Sequence, residues 1–192
     1  MSHTIYFDFE TAGLEPKNPS IQLAAIAQDD GTGEECASME LKLKFNVSDA
    51  NPEALAMNHY SKEAWKDAVY PVDAARRLSR FIEPYRSIEM VSKTKGTPYS
   101  VAKLAGYNAL TFDLPRLRQL YDGQFFPFSY HVRDILQRVL FYFDEHPQES
   151  KPASLKLPVI CEHFGICVDG AHDALADARM SAALLRRLRC SQ

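Results

Sequence analysis

The pattern of the first 47 residues constrains the fold of this 192-residue chain more than any other feature. Three strand-like stretches, TIYFDFET, IQLAAIAQ and ASMELKLKFNV, are separated by short segments rich in Gly, Pro and polar residues. Strands that follow one another this closely commonly pair in an antiparallel arrangement. The sequence therefore predicts a three-stranded antiparallel meander at the start of the chain.

The rest of the chain is mostly helical in pattern, with one buried strand predicted at VAKLAGYNA (101–109). The predicted helical segments are 52–84 with a break near 70–71, 110–121, 131–143, 154–166 and 173–189. Helices that follow a meander and alternate with a further strand favour a mixed sheet covered by helices. Because single domains commonly reach about 200 residues, we expect residues 1–192 to form one domain.

Composition narrows the functional classes. Hydrophobic residues make up 46% and charged residues 24% of the chain, which is typical of globular proteins. A net charge of −3 gives no overall basic signal for a nucleic-acid partner. It does not exclude one, because a local stripe of basic residues can bind nucleic acid. The four cysteines lack CxxC spacing and predict reduced thiols and a cytoplasmic location. No stretch approaches the about 20 apolar residues of a membrane span, and MSHTIYFDF lacks the features of a secretion signal, so we expect no membrane partner.

Two carboxylates lie on one side of the first predicted strand. Asp8 and Glu10 are two positions apart and therefore face the same way, about 7 Å apart along the strand, while Phe7 and Phe9 face a core. Like charges at this distance raise each other's pKa, and a divalent cation with oxygen ligands, Mg²⁺ or Mn²⁺, would relieve the repulsion. The alternative is a strand edge with two solvated acids.

A third acid lies in GYNALTFDLPRL. Asp113 directly precedes Leu114-Pro115, so by itself it predicts a helix N-cap. Asn108 in the same stretch is typical of a turn.

The segment AHDALADARM begins the last predicted helix. Asp177 shares a helix face with Leu184 and Leu188 and therefore points towards the core, where an unpaired carboxylate is costly and needs a cation. Asp173 is explained as a cap or first-turn acid. We expect His172 on the loop before this helix, either reaching into a site or simply exposed to solvent.

Together the three segments supply four acids and one histidine. Metal-assisted hydrolysis of a phosphodiester requires such a set, because carboxylates hold the cations and a base takes the proton of the attacking water.

In this order and at this spacing, FDFET, YNALTFD and HDALADA resemble the three motifs of the DEDD 3′–5′ exonucleases. The H-x4-D spacing from His172 to Asp177 resembles the DEDDh subgroup, and the resemblance extends from Ile5 to about Leu188.

The resemblance implies a ribonuclease-H-like α/β fold, with a central mixed five-stranded sheet flanked by helices. It also implies two Mg²⁺ or Mn²⁺ ions, His172 as the general base, and release of 5′-mononucleotides from a 3′ end. The implied metal ligands are Asp8, Glu10, Asp113 and Asp177. The implied substrate-binding residues are Thr11, Leu14, His59 and Asn108.

Three further positions bear on this resemblance. Ala12 stands where many members of the family have Thr or Ser. The segment 90–102 predicts a basic loop with Lys93, Lys95 and Tyr99, which either holds single-stranded backbone or is a solvated surface loop. Asp134 either supports the site from outside the ligand set or is a surface acid.

The leading hypothesis is a free-standing, metal-dependent 3′–5′ exonuclease that acts on single-stranded DNA or unpaired 3′ ends. An exoribonuclease of the same fold is one alternative, because the acids do not discriminate between the two sugars. A catalytically silent nucleic-acid-binding module is another. The sequence does not predict an oligomeric state.

Overall fold

The computed structural model describes residues 2–189, which form seven strands and six α-helices. In chain order these are β1 (His3–Thr11), β2 (Ser20–Asp29), β3 (Glu35–Lys42), α1 (Pro52–Met57), α2 (Pro71–Ile82), β4 (Ile88–Val91), β5 (Pro98–Val101), β6 (Lys103–Gly106), α3 (Asp113–Leu120), β7 (Arg133–Asp134), α4 (Ile135–Glu145), α5 (Leu157–His163) and α6 (Ala174–Arg189).

The main sheet has five strands in the order β3-β2-β1-β6-β7. β1, β2 and β3 pair antiparallel, whereas β6 runs parallel to both β1 and β7. The predicted meander and the mixed five-stranded sheet are therefore both confirmed. β2 lies inside the sheet, and its residues 21–27 are all buried, in keeping with its nearly continuous apolar sequence.

Helices cover both faces of the sheet. Ile5, Phe7 and Phe9 of β1 belong to a core formed with α2 and α3. Tyr6, on the opposite face of β1, belongs to a second core formed with α4, α5 and α6. Asp8 and Glu10 share the alternation of Tyr6 and thus lie on the face covered by α6.

The segment 90–102 differs from the loop that the sequence predicts. Residues 88–101 form a separate two-stranded hairpin, β4–β5, with Lys93 and Lys95 in its turn and Tyr99 in its second strand. Gly96 supplies the positive φ of +65° that the turn needs. Each strand has only four residues, too few for a period of two to stand out beside the polar turn.

The helical segment predicted from residue 52 also ends early. α1 stops at Met57, because the Asn58 side-chain amide donates to the carbonyl oxygens of Ala54 and Thr11, at 2.9 and 3.2 Å. His59 then adopts a left-handed backbone with φ of +51°. Turns occupy the chain from there to the start of α2.

Two further predictions concern redox state and membranes. Cys36, Cys161 and Cys167 are free thiols, and Cys190 lies outside the described residues. Within residues 2–189 no helix combines the length and the apolar content needed to cross a bilayer.

Candidate active site

Three carboxylates meet where β1 passes beneath the start of α6. Asp8 and Glu10 come from β1 and Asp177 from the first turn of α6. One oxygen from each of the three carboxylates lies within 4.8 Å of the other two. Among the side chains of residues 2–189, this is the one group of three or more potential metal ligands that approaches so closely. We call these three residues the carboxylate cluster.

The N-terminal end of α6 fixes the position of Asp177. The Asp173 carboxylate accepts hydrogen bonds from the backbone N–H groups of Leu175 and Ala176, both at 3.1 Å, and thus caps the helix. Further along the face of Asp177, Leu184 and Leu188 are fully buried. The predicted capping role of Asp173 and the inward direction of Asp177 are both confirmed.

Asp113 lies next to the carboxylate cluster without joining it at 4.8 Å. Its side chain is almost fully buried, and its Oδ1 accepts the backbone N–H of Phe9 at 3.2 Å. Asp113 is the first residue of α3 and Phe112 is the capping position, so the prediction of Asp113 as the N-cap is wrong. The carboxylate reaches β1 instead of the N–H groups of its own helix.

Burial and mutual repulsion raise the pKa values of these acids. The pKa of Asp8 is well above its usual range because of burial, followed by the charges of Asp113 and Asp177. Burial also raises the pKa of Glu10 to about 7, with the Asp177 and Asp173 charges adding to it. Burial and repulsion therefore disfavour ionised carboxylates at this site.

Opposing contacts moderate the shift at the other two acids. Burial raises the pKa of Asp177 to about 6, although a backbone hydrogen bond and the charge of His172 both lower it. Burial likewise raises the pKa of Asp113, whereas its hydrogen bond from Phe9 and the Arg116 charge lower it. Several carboxylate oxygens that repel one another at close range fit a divalent cation, which supplies the missing positive charge.

His172 lies on the turn before α6, as predicted. Its φ is +72°, its side chain is exposed, and its backbone N–H donates to Asp177 Oδ1 at 3.3 Å. The residue lines the same cleft as the cluster, so the turn holds the imidazole at the rim of the acidic site.

The cleft has a volume of about 670 Å³. Asn108 lines it from a turn, where its φ is +52°, so its turn role is confirmed, while its role in substrate binding stays a prediction. The opposite wall is the segment 154–159, joined to Tyr107 by a hydrogen bond from the tyrosine hydroxyl to the Leu155 carbonyl oxygen at 2.5 Å. This wall was not identified from the sequence, where the segment shows only the pattern of a helix.

The other predicted substrate-binding residues do not line this cleft. Thr11 is buried, and its hydroxyl donates to the Gly13 carbonyl oxygen at 2.7 Å. Leu14 is 87% exposed, and His59 is exposed on its own turn. A role for these three residues in substrate binding stays a prediction.

Asp134 supports the site from outside. Its Oδ1 accepts the backbone N–H of Leu136 and caps α4, while its Oδ2 accepts the backbone N–H of Leu110, both at 3.0 Å. The second bond anchors the turn that carries Asn108. Asp134 thus binds backbone groups of α4 and of this turn, and whether it orients the metal ligands stays a prediction.

Several solved structures of exonuclease I have the same fold as this chain. Exonuclease I from Methylocaldum szegediense superposes with a TM-score of 0.77 at 22% identity, covering 100% of this chain and 41% of the other. E. coli exonuclease I in complex with a dT13 oligonucleotide superposes with a TM-score of 0.73 at 20% identity, covering 100% of this chain and 41% of the other. A zinc-bound E. coli exonuclease I–ssDNA complex superposes with a TM-score of 0.76 at 21% identity, with the same two coverages.

The likeness to these structures establishes the fold, and the chain spans about two fifths of their length. No curated protein matches the chain in sequence. The family model for exonucleases of the RNase T group, however, matches residues 5–185, nearly the whole chain. This protein therefore belongs to the exonuclease family that this model describes.

Proposed function

We propose that the chain is a metal-dependent 3′–5′ exonuclease that hydrolyses the terminal phosphodiester of DNA and releases 5′-mononucleotides. Single-stranded or unpaired 3′ ends are the preferred substrate. Membership of the exonuclease family supports the reaction class. The single-stranded oligonucleotides bound to exonuclease I, a protein of the same fold, support the choice of substrate.

The observation that carries the proposal is the carboxylate cluster. Its three acids supply hard oxygen ligands within 4.8 Å of one another, a donor set that suits Mg²⁺ or Mn²⁺. Asp8, Glu10 and Asp177, together with the adjacent Asp113, would hold the ions. Two bound divalent ions would offset negative charge on the phosphate and lower the pKa of the attacking water.

The protein's own groups do the remaining work. His172 takes the proton of the attacking water, because it stands at the rim of the cleft and its backbone is tied to Asp177. Asn108 and the wall formed by Tyr107 and residues 154–159 enclose the terminal nucleotide. The cleft thereby fixes the scissile bond next to the acids.

A digestion assay tests the proposal. The purified protein is incubated with 5′-labelled single-stranded DNA and RNA of one sequence, with Mg²⁺, with Mn²⁺, or with chelator. We expect a metal-dependent ladder that shortens from the 3′ end, and faster digestion of DNA. Faster digestion of RNA would overturn the DNA assignment, and cleavage in chelator would overturn the metal requirement.

A pair of variants separates catalysis from folding. Asp8→Asn removes one ligand charge without changing side-chain volume and is expected to abolish the ladder. Asp122→Asn is the matched control, because Asp122 is exposed and does not line the cleft. Digestion by Asp8→Asn at the wild-type rate would refute the metal-site assignment.

A further inference from the structure

A second depression lies on the face of β1 opposite the carboxylate cluster. It has a volume of about 350 Å³ and runs between the link 16–20, the segment 43–45 and the outer side of α3. Its apolar floor includes Phe9, Leu43 and Leu120. Three cationic side chains, Lys17, Lys44 and Arg116, also line it, and we call it the basic groove.

The lining of the basic groove contains no acidic side chain. Within residues 2–189 no carboxylate lies within ion-pair distance of Lys44, whose ammonium stands 4.3 Å above the Tyr70 ring. Lys17 pairs with Glu15 at 3.0 Å, but both side chains are more than 60% exposed, so this pair is weak. The groove therefore concentrates positive charge on a chain whose net charge is −3.

Arg116 offers the most specific anion-binding group. Its guanidinium lies 3.7 Å above the Phe112 ring, and Nη1 donates to the Phe112 carbonyl oxygen at 2.7 Å. Its Nε is buried and has no hydrogen-bond acceptor among residues 2–189. Because this Nε is buried, a ligand reaches Arg116 only through the terminal N–H groups at the groove, which are suited to phosphate oxygens.

The basic groove and the cleft adjoin each other. Phe9 lines both of them. Phe112 lines the cleft, and Arg116, which is stacked on Phe112, lines the groove. A single extended ligand that contacts both depressions would pass the end of β1 and the start of α3.

Aromatic side chains accompany the lysines. Phe45 lines the groove directly after Lys44, and Tyr70 lies beneath the Lys44 ammonium. Basic groups interleaved with aromatic rings are typical of surfaces that track a single-stranded backbone and stack its bases. An acidic peptide would use the charges but would gain nothing from a path into the catalytic cleft.

From these observations we infer that the basic groove binds the sugar–phosphate backbone of a single polynucleotide strand, upstream of the 3′-terminal nucleotide held in the cleft. The identity of the strand rests on the proposed function. The groove adds binding free energy for long substrates. A di- or trinucleotide is too short to extend from the cleft to the groove and does not gain this free energy.

The test is a binding measurement in chelator, where metal-dependent hydrolysis is prevented. The affinity of 5′-fluorescein oligothymidylate of about 12 nucleotides is measured by anisotropy as a function of salt. Lys17→Ala/Lys44→Ala is compared with wild type and with the matched control Arg77→Ala/Arg80→Ala, which removes two exposed cations of α2 that line neither depression. All four side chains are exposed, and thermal melting of each variant verifies that it folds.

The slope of log K against log[salt] is negative, and we expect it to become less steep by about 1.4 in the groove variant. Two phosphate contacts are lost, and each contact to a single strand contributes about 0.7 to the steepness. The α2 variant should keep the wild-type slope. A trinucleotide should bind the groove variant and wild type equally well, and an oligouridylate of the same length tests whether RNA uses the same path. Equal slopes for wild type and groove variant, or an equal loss in both double variants, would overturn the inference.

These outcomes are separable from those of the digestion assay. A wild-type protein that binds the oligonucleotide but leaves it intact with Mg²⁺ contradicts the proposed function and not the groove. A wild-type protein that digests DNA while the groove variant keeps the full salt slope contradicts the groove alone.

Discussion

Replacing Glu10 by Gln should stabilise the metal-free protein at alkaline pH. Burial raises the pKa of Glu10 from 4.5 to about 7, which corresponds to about 3 kcal/mol. As the pH rises from 4.5 to about 7, the unfolded chain loses this proton before the folded protein does. Ionisation therefore destabilises the wild-type fold progressively across that window, and the full penalty applies above it. Glutamine keeps the side-chain size and does not ionise.

Urea unfolding in chelator measures this difference. At about pH 8 we expect the free energy of unfolding of Glu10→Gln to exceed that of wild type by up to about 3 kcal/mol. The two proteins should converge near pH 4.5, the ordinary pKa of the side chain. Glu89→Gln, a change at an exposed glutamate of β4, should leave stability unaltered at both pH values. A Glu10→Gln protein no more stable than wild type at about pH 8 would refute the argument that repulsion and burial strain this site.

Three other changes test the remaining parts of the site. His172→Ala should lower the rate of digestion by about 10²- to 10⁴-fold at an unchanged unfolding midpoint, and near-normal turnover would exclude His172 as the base. Asp173→Ala removes the cap of α6 and should cost about 1 kcal/mol in urea unfolding, whereas the exposed control Asp122→Ala should not. Mg²⁺ should raise the melting temperature more at about pH 8 than at about pH 5, because the ligands Glu10 and Asp177, with pKa values of about 7 and 6, must lose their protons to bind it. An equal rise at both pH values would argue against these ligands.

The sequence predicted the parts of the site that a regular repeat controls. On β1 the alternation of side chains placed Asp8 and Glu10 opposite Phe7 and Phe9, and the structure agrees. The helical period placed Asp177 on the buried side of α6, also as observed. In both segments the apolar neighbours determine where the polar side chain points.

Local pattern was insufficient where tertiary contacts determine the geometry. Asp113 has the sequence context of a cap, but the Phe9 N–H that it accepts lies on a strand more than 100 residues earlier. The sequence pattern does not predict that residues 154–159 form a wall of the cleft, because their location depends on how α5 packs against α6. The strand β7 has only two residues, which is too short for any periodic signal.

The carboxylate cluster joins the eighth residue of the chain to the one hundred and seventy-seventh. Loop closure over such a separation is slow and costly in entropy, so the cluster forms only when α6 docks onto β1 and β2. During synthesis, a ribosome must have released the polypeptide beyond Asp177 before this acidic site exists. A chain in which α6 has not yet docked therefore lacks the assembled cluster, so metal binding at this site indicates that the fold has formed.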